Sequence, residues 1–366
     1  MNPSISKISV DDELYQFTLS GINVSLANAL RRTILSDIPT TVIYTEVYKD
    51  NQCNIEINTS RLHNEIIKQR LSCIPVHVTE LDLLPDNYIL EVDVTNESDS
   101  IIYVTTEDFR IKNKTNDNYL TVEETRRIFP ACPKTNSYID FVRLRPTMGN
   151  LPGEQLKLTA NFSVHNAKEN SMFNVVSTCS YGNTVDMDKA NTIWTEYENK
   201  LKSESATVDD IKMQRTNFYL LDAHRHFVEN SYDYCIQSVG VYKNQQIVKL
   251  ACKILIDKLA DMIVAIDSDI VPIRPSETTM ANSFDIILEN EDYTLGKLLE
   301  FVIYNKYFES EEILSFCGFK KFHPHDDESI IRLAYVKPSD KNMVRTHMKN
   351  ACELAKETYE KINKMF

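Results

Sequence analysis

Glycine is scarce in this chain, 7 residues in 366, and none falls in a Walker-type phosphate loop or a GxGxxG run, so a nucleotide-cradling loop has no candidate. The eight cysteines (Cys53, Cys73, Cys132, Cys179, Cys235, Cys252, Cys317, Cys352) stand singly, without the paired spacing of metal ligands or of a secreted disulfide framework. Reduced, mostly buried thiols are expected, with no metal and no cofactor. Positive charge is also in deficit: 40 basic against 53 acidic residues leave a net charge of −13, which repels a phosphate backbone and argues against extensive direct nucleic-acid contact. No run approaches the ~20 apolar residues of a membrane span, and MNPSISKISVDDELYQF lacks a signal-peptide core, so an intracellular chain without a membrane anchor is expected. Asp82 with Asp86, or Asp209 with Asp210, could be offered for metal-assisted catalysis. Acidic loops are far more often solvated surface, so no catalytic residue is assigned.

What is present is the composition of a globular protein, 42% hydrophobic and 25% charged, with length for two or three domains. LYQFTL (14–19) alternates like a strand, Gly21 breaks it, Asn23 or Ser25 can cap a helix running to about Asp37, and TVIYTEV (41–47) reads as a second strand. The order returns near the other end. SFDIIL (283–288) reads as a strand, Asp292 or Thr294 can cap, and Leu295, Leu298, Leu299 and Val302 form an apolar stripe. Aligning SLANALRR (25–32) with TLGKLLEF (294–301) sets hydroxyl against hydroxyl, small residue against small residue, and Leu30 against Leu299. Each copy closes with a long amphipathic helix, about Gln245–Ile266 in the first and Lys341–Lys364 in the second.

Strand-like runs between the first copy's opening and closing elements (88–94, 101–105, 155–164, 174–179) suggest an inserted, mainly β domain. The polar stretch 183–212 reads as an exposed excursion, and IVPIRPS (270–276) as a linker between the copies. The expected fold class is α+β: two related dimerisation modules packed as an intramolecular pseudo-dimer, with the β domain inserted in the first. The expected boundaries are 1–45 with 175–270 for the first module, 46–174 for the insert and 271–366 for the second module.

The run FTLSGINVSLANALRRTILSDIPTTVIYTEV (17–47) resembles the signature of the RNA polymerase alpha-like family: bacterial alpha, the archaeal D protein and the third-largest eukaryotic subunit. RLHNEIIKQRLSCIPV (61–76) is similar to that family's DExIAHRLGLIPL block, with Ser72 where glycine is usual; two further similar blocks lie at 141–181 and 235–255. NEDYTLGKLLEFVI (290–303) and CGFKKFHPHDDESIIRLAY (317–335) resemble the partner family, the archaeal L protein and its eukaryotic counterpart, with Lys297 for the usual asparagine. The resemblance implies a fusion of two subunits that are separate chains in cellular polymerases, an arrangement associated with large DNA viruses and hence with virion, host cytoplasm or nucleus.

The resemblance further implies a non-catalytic assembly platform whose partners are the second-largest, largest and small polymerase subunits. Asn28, Arg31 and Arg32 would meet the second-largest subunit, with a solvated helix face as the plain alternative. Ala27, Leu30, Ile34, Thr294, Leu295, Leu298 and Leu299 would form the seam between the halves, with ordinary core as the alternative. His323 and His325 read as a turn between strands rather than a metal cluster. The competing function is a nucleic-acid-binding transcription accessory module, which needs the basic stripe this sequence lacks.

Overall fold

The computed structural model describes residues 1–11, 13–277 and 279–366. The first part of the chain forms β1 (Ser4–Asp11), β2 (Leu14–Ser20), α1 (Val24–Ser36), β3 (Thr40–Val42), β4 (Cys53–Asn58), α2 (Asn64–Ser72), β5 (Tyr88–Thr95), β6 (Ile102–Thr105) and β7 (Arg110–Asn113). Then follow α3 (Val122–Ile128), β8 (Asp140–Leu144), β9 (Gln155–Asn161), β10 (Ser163–His165), β11 (Val176–Val185), α4 (Met187–Ser203), α5 (Val208–Leu220) and β12 (Phe227–Ser238). The last part forms α6 (Asn244–Asp267), β13 (Ile273–Pro275), β14 (Ser283–Glu289), α7 (Tyr293–Ile303), β15 (Leu314–Lys320), β16 (Glu328–Tyr335) and α8 (Lys341–Asn363). The chain is thus α+β, and it divides into two compact units: Met1–Thr33, Thr178–Gln237 and Val248–Phe366 make the first, Ile34–Ser177 and Ser238–Ile247 the second.

The first unit holds two antiparallel sheets of order β1-β2-β12-β11 and β13-β14-β16-β15. Alternation makes β2 a half-buried strand: Tyr15, Phe17 and Leu19 point inward, and Phe17 lies opposite Tyr234 of β12, their rings stacked at 5.0 Å. At Gly21 the backbone turns with φ +79°, and a Cβ there would sit 2.2 Å from the Asn2 carbonyl, so only glycine fits between β2 and α1. Asn23 is the cap of α1, its Oδ1 accepting from the Ser25 amide at 2.9 Å. The cap of α7 is Asp292, which accepts from the Thr294 amide at 2.8 Å. On α8, Val344, Met348, Ala351, Ala355, Tyr359 and Ile362 are all buried along one stripe.

The 183–212 stretch is largely exposed, as expected, but it is mostly helical. It forms α4 and the first turn of α5, started by an Asp186 cap and by a Thr207–Asp210 capping box, and the two helices close over a small core of Ala190, Trp194, Phe218 and Ala223. Caps and one large aromatic ring supply what the few apolar residues do not advertise. The 270–276 linker likewise contains β13, an edge strand, where Pro275 needs no ladder N–H.

The second unit contains a four-stranded sheet of order β4-β9-β5-β7 and two small ribbons, β10-β3 and β6-β8. Leu90, Val92, Ile111, Phe109, Phe129, Phe141 and Leu158 build its core, with Ile67 and Leu71 of α2 buried against it. The strand expected at 41–47 is only the three-residue β3; beyond it Tyr44 turns to stack on His165 at 4.7 Å. Ser72 is buried without penalty because its hydroxyl donates to the Ile43 carbonyl at 2.7 Å.

Candidate functional site

The two repeated helices, α1 and α7, and the last helix, α8, carry the residues singled out by the repeat; α7, α8 and α1 as far as Thr33 lie within the first unit. Arg32 leaves α1 toward the start of α7, where Nη2 lies 2.7 Å from Asp292 Oδ2 and Nε donates to Thr294 Oγ1 at 2.8 Å. Burial pushes the Asp292 carboxyl up, but hydrogen bonds from Thr294 and the Arg32 charge outweigh it and hold the pKa below the usual carboxylate value. Tyr359 of α8 reaches back to donate to the Leu26 carbonyl of α1 at 2.9 Å, while Tyr234 donates to the adjacent Ala27 carbonyl at 2.6 Å. Both phenols are buried and their pKa values lie well above normal, so they stay neutral donors. The ring of Phe366 packs edge-on to Phe17 at 5.0 Å. On the surface, Lys349 of α8 pairs with Asp267 at 2.7 Å and Arg345 with Asp269.

Of the expected seam residues, Ala27, Leu30, Leu295, Leu298 and Leu299 are fully buried and Thr294 is buried with its hydroxyl in use. Ile34 is buried too, but it belongs to the second unit. Helix α7 packs on α8, β15 and β16, and Gly296 permits this: a Cβ there would lie 2.0 Å from the Phe319 ring. Asp292, Tyr234, Tyr359 and Phe366 make the other contacts around α1, and the sequence alone does not single them out. From the sequence Asp292 reads only as a cap, although an acid one turn ahead of the repeated stripe stands where a helix-borne arginine can reach it.

Asn28, Arg31 and Arg32 do not share one environment. Arg31 donates through Nε and Nη2 to Asn28 Oδ1 at 3.1 and 2.9 Å, and no carboxylate pairs with it among the described residues. The aligned positions in α7 hold the same spacing with a full ion pair, Lys297 Nζ to Glu300 Oε2 at 2.5 Å. Arg32 is about a third exposed and already engaged; Arg31 keeps an uncompensated charge. His323 and His325 lie in the turn between β15 and β16, where the His325 amide donates to His323 Nδ1 at 3.2 Å. No group of three His, Cys, Asp or Glu side chains able to hold a metal ion is present among the described residues, and no helix there is long and apolar enough to cross a membrane.

A family model for the RNA polymerase Rpb3/Rpb11 dimerisation domain matches residues 16–259. The chain is 26% identical over 276 residues to DNA-directed RNA polymerase subunit Rpo3 of Methanosphaera stadtmanae, covering 69% of this chain and 94% of the relative. It is 38% identical over 98 residues to the Rpo3 subunit of Pyrococcus furiosus, covering 25% of this chain and 34% of that one. It is 39% identical over 74 residues to DNA-directed RNA polymerases IV and V subunit 3B of Arabidopsis thaliana, covering 20% and 21% of the two chains. The matched stretch thus spans about a third or less of two of these relatives and nearly all of the other.

Proposed function

The chain belongs to the RNA polymerase Rpb3/Rpb11 dimerisation-domain family, and on that premise we propose that it is a non-catalytic assembly platform of a multisubunit DNA-dependent RNA polymerase carrying both halves of the platform in one polypeptide. In this reading 1–45 with 175–270 is the first half, 46–174 its mainly β insert, and 271–366 the second half, paired with the first as an intramolecular pseudo-dimer. The observation that carries the pairing is the bonding of α1 to the second repeat: Arg32 to Asp292 and Thr294, and Tyr359 to the Leu26 carbonyl. Such a platform works inside the cell, and the joining of two subunit types in one chain fits the transcription apparatus of a large DNA virus.

The second-largest subunit is the proposed neighbour of Asn28, Arg31 and Arg32, with the largest and the small subunits completing the assembly. Within that set the roles divide by chemistry. Arg32 is held by Asp292, whereas Arg31 has a guanidinium oriented by Asn28 and no counter-charge, the state in which an arginine can receive a partner's carboxylate or carbonyls bidentately. Replacing Arg31 by Ala should leave the fold intact and weaken capture of the second-largest subunit by more than about tenfold, since a desolvated interface arginine is worth ~2 kcal/mol or more. Affinity purification of the tagged chain from its native source tests the broader reading: the large polymerase subunits should accompany it. Their absence, with the chain folded, would overturn the platform; their presence with equal capture by the Arg31→Ala variant would overturn only the assignment of Arg31.

A further inference from the structure

The block at 61–76 contributes two arginines to a cleft in the second unit that the platform reading leaves unused. Arg61 and Leu62 come from the segment after β4, Arg70 from α2, Tyr103 from β6, and Asp140 and Arg143 from β8; they line a concavity of about 340 Å³. Arg70 is fixed in place, its Nε donating to the Phe141 carbonyl and its Nη2 to the Asp140 carbonyl, both at 2.7 Å. Those bonds fasten α2 to β8, yet they leave the arginine's charge uncompensated, because a carbonyl is a dipole and not an anion. Arg61 and Arg143 are exposed, and neither side chain makes a hydrogen bond or an ion pair among the described residues, although the Arg61 charge is felt by Glu154. Across the β6–β8 ribbon Arg143 stands directly opposite Tyr103, so an unpaired guanidinium and an exposed phenol ring rise from the same face. Against these three guanidinium groups the lining holds one carboxylate, Asp140, in a chain whose net charge is −13.

We propose that this cleft binds an acidic peptide segment of a partner protein, with Arg61 and Arg143 receiving its carboxylates and Tyr103 and Leu62 forming the wall for an apolar side chain beside them. The planar fork of a guanidinium matches a carboxylate bidentately, and arginine and tyrosine are both enriched at the energetic centres of interfaces. A nucleic-acid backbone asks for a continuous basic stripe, and here three arginines stand in a short cleft broken by Asp140. The proposal does not depend on the chain being part of a polymerase.

The test uses the purified full chain and two fluorescein-labelled probes: a ten-residue peptide of Glu and Asp containing one Leu and one Phe, and an oligothymidylate of the same charge. Fluorescence anisotropy should show the peptide binding in preference to the oligonucleotide, and more weakly as salt rises. Arg61→Gln with Arg143→Gln should lower peptide affinity by about tenfold or more, with an unchanged melting curve. Lys at both positions should restore only part of the loss, and Arg110→Gln, an exposed arginine elsewhere in the same unit, should have no effect. Failure of the peptide to bind, equal binding by the double Gln variant, or preferential binding of the oligonucleotide through the same two arginines would each overturn the proposal.

Discussion

Arg32 and Asp292 allow the contact between the repeats to be measured. Their charged atoms are 2.7 Å apart, and the two side chains remain 35% and 34% exposed. At that exposure solvent screening and side-chain entropy remove most of the Coulomb attraction, leaving a net coupling of about 1 kcal/mol. Arg32→Ala alone should cost more, about 2 kcal/mol, since Thr294 Oγ1 also loses its charged donor. The right partner change is Asp292→Asn, which keeps an acceptor for the Thr294 amide and so spares the cap of α7. Urea unfolding of the two single variants and the double variant, followed by fluorescence of Trp194, the chain's one tryptophan and part of the first unit, gives the cycle. The coupling should shrink in high salt. A coupling below about 0.3 kcal/mol, the scatter expected of independent sites, would return Arg32 to the class of solvated helix residues.

The same pair sets a pH dependence: because the Asp292 pKa is depressed, its contribution is present above the ordinary carboxylate range and lost as pH falls through the depressed value. Acid titration of stability should therefore be shallower in Asp292→Asn than in the wild type. Gly296→Ala places a methyl 2.0 Å from the Phe319 ring and should destabilise the first unit by about 1–3 kcal/mol, with Phe319→Leu relieving part of the loss in a double variant. Burial pushes the Cys252 and Cys352 thiols up to about 12, so a thiol reagent at pH 8 should label exposed Cys73 and Cys132 in the native chain and reach Cys252 and Cys352 only after unfolding.

How much of this is legible in the sequence depends on whether a residue's role is local. Gly21, Asn23 and Asp292 act through the backbone within a few residues of themselves, so turn and cap chemistry marks their positions. The long closing helices are visible because a stripe repeated every 3.6 residues over six turns leaves little ambiguity. Helix α4 escapes such a reading because its apolar side rests largely on Ala190 and Trp194, too sparse to set a period, while its Asp186 cap looks like any loop acid. The strand reading of 41–47 fails for the opposite reason: β-branched residues continue past Val42, but Tyr44 finds a better surface on His165 and Phe173 than in a ladder. Across the repeats the sequence offers still less. The alignment of 25–32 with 294–301 shows that Arg31 opposes Glu300 and Arg32 opposes Phe301, but nothing in it says that Arg32 would bond to the cap of the other helix. A long-range pair is written in two places, and only the fold brings them together.

The proposed pairing of the repeats has one further consequence, for the state of the purified chain. If α1 meets α7 and α8 of its own polypeptide, the Leu26 carbonyl, the Arg32 guanidinium and the Phe17 ring are all occupied internally, and no second copy can improve on them. The connection from α6 to β14 is 15 residues (268–282), so each repeat meets its own partner at an effective concentration of about millimolar, far above that of another molecule in dilute solution. Exchange between two copies would form the same bonds and add only the association entropy of a dimer, a cost of at least several kcal/mol. The chain should therefore sediment as a monomer, and its melting temperature should not move across a hundredfold range of protein concentration. Size-exclusion chromatography with light scattering, together with melting at both ends of that range, decides it. A stable exchanged dimer at micromolar concentration, or a melting temperature that climbs with concentration, would show that the two repeats of one chain do not satisfy each other.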